Sequence, residues 1–163
     1  MAVKRRSSAA KAKTPDAIAL LKADHRQVKE WFSQFDKTNS RSNKQQLANH
    51  ICDALRIHTT IEEEIFYPAF FEATGDKDTH HEAIVEHAGA KELIAQIQGL
   101  SSDEDYFDAR VTVLSEMIKH HVKDEEGPGG MFAEAKKSDM DLASLGEQLQ
   151  ARKKELQARA KAA

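Results

Sequence analysis

Cysteine is almost absent from this chain of 163 residues, where Cys52 stands alone. A single thiol excludes an internal disulfide framework, so a hydrophobic core, a metal or both must hold the fold. No apolar run approaches the roughly 20 residues needed to cross a bilayer, and no apolar stretch follows the basic N-terminus to make a signal peptide. The expectation is a cytoplasmic protein with no membrane partner. Strand-like alternation of apolar and polar residues is also missing, which leaves an all-α fold. The net charge of −3 exerts no global pull toward nucleic acid.

The charge that is present is unevenly placed. Lys4, Arg5, Arg6, Lys11 and Lys13 crowd one end, and Arg152, Lys153 and Lys154 sit near the other. Residues 1–13 have no apolar period and read as a disordered basic tail. Such a tail supports at most a weak, salt-sensitive contact with nucleic acid, because no aromatic is interleaved for base stacking. With 40% apolar residues, the remainder suits one domain with a sizeable core.

That remainder repeats itself. His58-Thr59-Thr60-Ile61-Glu62-Glu63 returns 63 residues later as His121-Val122-Lys123-Asp124-Glu125-Glu126. Upstream of each copy lies an acid-His pair in matching context, Asp24-His25 before Lys29-Glu30 and Glu86-His87 before Lys91-Glu92. The separations agree too, 33 residues from His25 to His58 and 34 from His87 to His121. Residues four apart on a helix share a face, so each copy aims an imidazole and a carboxylate at one point. The pattern describes a duplicated helical hairpin carrying His25, His58, Glu62, His87, His121 and Glu125.

The flanking signals predict where the helices lie. Thr14-Pro15-Asp16 is expected to open the first, with Ile18, Leu21, His25, Val28, Phe32 and Phe35 facing inward. After a polar break at residues 39–42, the second carries Leu47, Ile51, Leu55, His58, Glu62 and Ile65. Pro68 is expected to kink or end it, and Gly75 to close the turn. The third, about 78–98, is predicted to place Ile84, His87, Lys91 and Ile94 on one stripe, with Leu93 and Ile97 beside it. Ser102 or Asp103 should cap the fourth, whose seam of Phe107, Val111, Leu114, Ile118, His121 and Glu125 selects His121 over His120. Gly127-Pro128-Gly129-Gly130 ends the repeat; a short helical piece over 131–137 and an amphipathic helix over about 142–160 follow. The implied organisation is a tail (1–13), a four-helix bundle (14–132) and a helical extension (133–163).

Six buried imidazoles and carboxylates on the inner stripes of four successive helices need a common cause. Either a buried His-Glu ion-pair network or a metal provides one, and the repeated spacing favours metal. Imidazole with carboxylate suits iron, zinc, nickel or manganese. Two carboxylates able to bridge, with His on both sides, favour a pair of ions about 3.5–4 Å apart, for which iron fits best. His50, His80, His81 and His120 lie off the inner stripes or near helix ends and read as solvated side chains. Cys52 reads as a small buried thiol. Glu63 and Glu126 follow the inward Glu in both repeats and are placed either to bond ligand imidazoles or to face solvent.

The segments HTTIEEEIFYP, HHVKDEE, LKADHRQVKE and VEHAGAKEL resemble the ligand-bearing helices of the haemerythrin-like HHE cation-binding domain family, over roughly residues 16–132. That resemblance implies an up-down-up-down four-helix bundle, here with an additional C-terminal helix, around two non-haem iron ions with an oxo or hydroxo bridge. It implies ligation by His25, His58, Glu62, His87, His121 and Glu125, with Glu62 and Glu125 bridging. Oxygen-carrying members have a further His where this chain has Ala83, and place the last carboxylate five residues after its His rather than four. Reversible oxygen carriage is therefore not expected. The implied partner is dioxygen or another small oxidant, peroxide or nitric oxide, met in sensing or stress response rather than in turnover. The alternatives are an iron-handling or regulatory protein whose metal-dependent fold a partner reads, and a peroxide-consuming oxidoreductase.

Overall fold

A computed structural model describes residues 13–163. Most of the expected disordered tail, with Lys4, Arg5, Arg6 and Lys11, lies outside the described residues. Among the described residues every element is helical.

Helix α1 spans Ala17–Lys37. Its N-cap is Asp16, whose carboxylate accepts from the Ala19 N–H at 2.8 Å, so Thr14 and Pro15 precede the helix instead of opening it. A carboxylate both accepts from the first free N–H groups and meets the positive helix end, an advantage a hydroxyl lacks. Helix α2, Arg41–Ile61, is capped by Ser40. It runs on through a π-helical segment, Glu62–Phe66, into α3, Tyr67–Thr74. Pro68 therefore neither ends nor simply kinks the helix. A proline ring clashes with the carbonyl four residues back, and the wider turn, closed by Tyr67 N–H to Glu62 O, displaces that carbonyl. Gly75 stops α3 with φ of 67°, where a Cβ would be strained.

Helix α4 spans Lys77–Gln98 behind an Asp76 cap. Its inner stripe is Ala83, His87, Ala90, Ile94 and Ile97; Ile84 and Lys91 face outward, contrary to the expected phase. Both stripes contain His87 and Ile94 and differ by one position. The small Ala83 and Ala90 let neighbouring helices approach, and Lys91 gains a partner in Glu63 at the edge. Helix α5, Phe107–Glu126, has no side-chain cap, because Tyr106 enters it with φ of 68°. Ser102 is drawn instead onto α2, its N–H donating to Gln45 Oε1 at 2.6 Å and its carbonyl accepting from Arg41 at 3.1 Å. Helices α6 (Met131–Lys137) and α7 (Leu142–Ala162) complete the chain.

Helices α1, α2, α4 and α5 form an up-down-up-down bundle, and α7 packs across α1, α2 and the π-helical segment. Two apolar layers fill it. One holds Leu21, Ile61, Phe66, Phe70, Phe132 and Leu149; the other holds Val28, Ile51, Ile94, Phe107 and Leu114. The histidines interrupt the helices between these layers, so the polar layer is closed above and below by hydrocarbon. No helix among the described residues is long and apolar enough to cross a membrane.

Candidate metal centre

All six predicted side chains converge in that layer. Their relative exposures are 7% for His25, 4% for His58, 0% for Glu62, 2% for His87, 5% for His121 and 2% for Glu125. They form two groups of closely spaced donor atoms, His25, His58, Glu62 and Glu125 in one and Glu62, His87 and His121 in the other.

Each imidazole is oriented by a carboxylate on its outer nitrogen. Asp24 meets His58 Nδ1 at 3.1 Å and Glu86 meets His121 Nδ1 at 2.6 Å, each within its own repeat. Glu63 meets His87 Nδ1 at 2.9 Å and Glu126 meets His25 Nδ1 at 2.7 Å, each across to the other repeat. A carboxylate accepts only, so these contacts place a proton on Nδ1 and turn the Nε2 lone pairs inward. There the Nε2 atoms of His25 and His58 lie 3.0 Å apart, and those of His87 and His121 3.2 Å apart. With each Nδ1 proton held by its carboxylate, the two Nε2 atoms of a pair need a positive charge between them, a proton in the metal-free protein or a metal ion in its place.

The two inner carboxylates divide themselves between the histidine pairs. Glu62 sets Oε1 3.2 Å from His58 Nε2 and Oε2 3.2 Å from His87 Nε2. Glu125 sets Oε1 3.3 Å from His121 Nε2 and Oε2 3.4 Å from His25 Nε2. Glu62 Oε1 and Glu125 Oε2 are nevertheless buried without a hydrogen-bond partner, since the nearby nitrogens are not aligned to donate. Buried carboxylate oxygens without partners are costly. The donor set therefore fits bound metal, with Glu62 and Glu125 each placed to reach both histidine pairs.

The electrostatics point the same way. Burial by itself lowers the pKa of His58, but the Glu62 charge and the bond to Asp24 outweigh it and raise the imidazole to about 10. Burial is likewise overcome at His121, where Glu125 and Glu86 raise it to about 11. Burial and the neighbouring Glu62 charge push Glu125 up, yet His121 and His25 hold it down at about 2. Glu62 is held well below the usual carboxylate range by His58 and His87 despite its burial. These ionised carboxylates are ready to meet cations.

Tyr67 carries no signal in the helical period, yet its hydroxyl stands inside the layer. It donates to Glu125 Oε1 at 2.6 Å and lies 3.0 Å from His87 Nε2, 3.3 Å from Glu62 Oε2 and 3.4 Å from His121 Nε2. Burial and the charges of Glu62 and Glu125 hold the phenol well above its ordinary pKa. Asp24 and Glu86 also belong to the site; the acid that immediately precedes the first inward His of each repeat is their signal. Ala83 borders a cavity of only about 30 Å³ with Glu86, His121, Glu125 and Met131.

The remaining histidines stay out of this layer. His50 and His81 are exposed, and His120 approaches Glu86 and Asp124 at 3.6 Å on the surface. His80 is half-buried against Phe71 and Tyr67, with Nδ1 unpartnered, so the solvated reading fails for it. Cys52 is buried, and burial pushes its thiol up to about 12, which makes it inert.

Comparison with known proteins agrees with this geometry. A DNA nickase from Nostoc sp. (strain PCC 7120 / SAG 25.82 / UTEX 2576) is 30% identical over 107 residues, covering 66% of this chain and 30% of that protein. This chain thus spans about a third of the length of that relative. The crystal structure of a hemerythrin HHE cation binding domain-containing protein, the Rv2633c homolog from Mycobacterium kansasii, shares the fold with a TM-score of 0.73. It is 22% identical, with 90% of each chain covered. The hemerythrin HHE cation binding domain model matches residues 16–128, a span that includes all four bundle helices and all six inward-facing donors. With a buried set of imidazole and carboxylate donors inside that match, the chain belongs to the hemerythrin HHE cation binding domain family and binds metal.

Proposed function

We propose that the protein holds two non-haem iron ions on His25, His58, Glu62, His87, His121 and Glu125. The pair reacts with a small oxidant, dioxygen, peroxide or nitric oxide, in sensing or stress response. The observation that carries this reading is the division of Glu62 and Glu125, each of which offers one oxygen to each histidine pair. Bound iron supplies one-electron chemistry and a Lewis-acid position for a small ligand. The hard phenol oxygen of Tyr67 beside imidazole and carboxylate favours iron over softer choices. Tyr67 also holds a proton on its hydroxyl 2.6 Å from Glu125 Oε1, where it would serve as a proton donor inside the layer. Phe66 and Phe132, both buried against the layer, exclude bulk water.

The name of the Nostoc relative raises DNA cleavage as a second possibility. Burial argues against it at this centre: donors exposed by at most 7% admit a diatomic molecule or a peroxide, not a phosphodiester in a duplex. Metal analysis and absorption spectra of the reduced protein before and after oxygen test the proposal. Two irons per chain and charge-transfer bands that respond to the oxidant are expected. Steady peroxide consumption would transfer the reading to an oxidoreductase. Metal-dependent folding without any gas response would transfer it to a regulatory protein.

A further inference from the structure

The duplication provides an internal comparison outside the metal layer. Two grooves flank the bundle at equivalent places, one between α2 and α4 and the other between α1 and α5. The first measures about 240 Å³ and is lined by Arg56, Thr59, Thr60, Lys91 and Ile94. Its polar groups satisfy one another. Lys91 pairs with Glu63 at 2.6 Å, Arg56 donates to Gln98 at 2.8 Å, and both threonine hydroxyls donate to the Arg56 carbonyl.

The α1/α5 groove measures about 420 Å³ and differs in chemistry. Val122 stands where its counterpart has Thr59, Lys123 where it has Thr60, and Arg26 where it has Ala88. Phe32, Ile118 and Val122 make an apolar floor, and Arg26, Lys29 and Lys123 rise around it. Lys29, the equivalent of Lys91, makes no ion pair with Glu126; among the described residues neither Arg26 nor Lys123 has an ion-pair partner either. Lys119, also on the rim, is taken by Glu116 at 2.9 Å. Glu126 is the acid at the inner end, and it is engaged by His25 at 2.7 Å. In helix register, Arg26 and Lys123 lie level with the histidines and Phe32 and Ser115 farther along.

We infer that the α1/α5 groove binds a free medium-chain aliphatic carboxylate, its head group among Arg26, Lys29 and Lys123 and its tail on Phe32, Ile118 and Val122. Unpaired cations beside hydrocarbon match a ligand that is anionic at one end and apolar at the other, and 420 Å³ lies within the roughly 300–1,000 Å³ of small-molecule sites. A neutral alkane leaves the cations without a partner, and a small inorganic anion leaves the floor wet. The site is separate from the metal donors except at His25, so the inference does not depend on which metal the centre holds.

Titration calorimetry of the full chain with sodium decanoate, below its micelle concentration, tests this. Saturable binding of one decanoate per chain is expected, with decanol and decyltrimethylammonium binding far more weakly. The double variant Lys29→Glu/Lys123→Glu should bind decanoate about tenfold or more weakly, as expected on reversing charges that contact the head group. Arg56→Glu, in the opposite groove, should bind it as the parent does. Amide and methyl NMR shifts should move at Phe32, Ile118 and Val122 in the parent, which also reports whether the variants keep their fold. Equal affinity for decyltrimethylammonium, or undiminished binding by the double variant, overturns the inference. Binding of anionic phosphatidylglycerol vesicles without binding of free decanoate overturns it as well, in favour of a lipid surface.

Discussion

The two repeats are alike where they meet the centre and unlike where they leave it. Each gives two imidazoles, one dividing carboxylate and two acids that orient imidazoles, so the inner layer has approximate twofold symmetry. Beyond Glu62 the first repeat continues through a π-helical turn and returns Tyr67 to the layer. Beyond Glu125 the second stops at Gly127, and Gly130 occupies the place equivalent to Tyr67. Among the described residues α7 packs chiefly on the first repeat, where Lys153 bonds Asp24 and Arg152 holds Glu64 at 2.8 Å. Gly146 is what permits that bracing, because a Cβ there would meet the Pro15 carbonyl at 2.2 Å. Duplication thus supplies a symmetric set of donors, and the flanking chain makes one side of it different.

The largest effects should test the symmetry. His58→Ala and His121→Ala are each expected to lose most of the bound metal, measured by mass spectrometry, while the exposed His120→Ala keeps it. Unequal losses from the first two would mean that one ion dominates. Next, Leu149→Ala empties a fully buried site under α7 and should cost about 2–5 kcal/mol in denaturant unfolding. A smaller cost would show that α7 braces little.

Asp24→Asn and Glu86→Gln each remove the acceptor charge behind one imidazole, and metal affinity should fall about 10–100-fold in a chelator competition. Comparable losses would establish that Lys153 adds nothing essential to the first repeat. Tyr67→Phe leaves Glu125 without its phenol donor and should destabilise the metal-free protein by about 1–3 kcal/mol. An altered absorption spectrum of the iron-loaded variant would add that the phenol oxygen contacts the metal.

The smallest effect concerns protons. His58 and His121, raised to about 10 and about 11, are protonated at neutral pH in the metal-free protein. Metal must displace one proton from each, so loading should release about two protons and affinity should rise with pH toward that range. Proton uptake on loading, or affinity that falls as pH rises from 6 to 8, would contradict this sign. Release of one proton would indicate that the two repeats are protonated differently.

Periodicity and spacing alone determined the all-helical class, the duplicated hairpin and the six imidazoles and carboxylates that face inward, because an i, i+4 pair occupies one face of any helix. They also separated His121 from His120. They did not determine the phase of α4, where stripes through Ala83 and through Ile84 both contain His87 and Ile94. Packing of small side chains and the Lys91–Glu63 pair chose between them. Nor did they reveal Tyr67, since its place depends on the π-helical turn that accommodates Pro68, and a helical wheel at 100° per residue has no position for that turn. The acids behind the histidines stood in the sequence as neighbours, but which imidazole each orients was a tertiary outcome. Glu63 and Glu126 reach across to the opposite repeat, whereas Asp24 and Glu86 stay within their own, because the helices that face each other in the bundle are not always those adjacent in the chain.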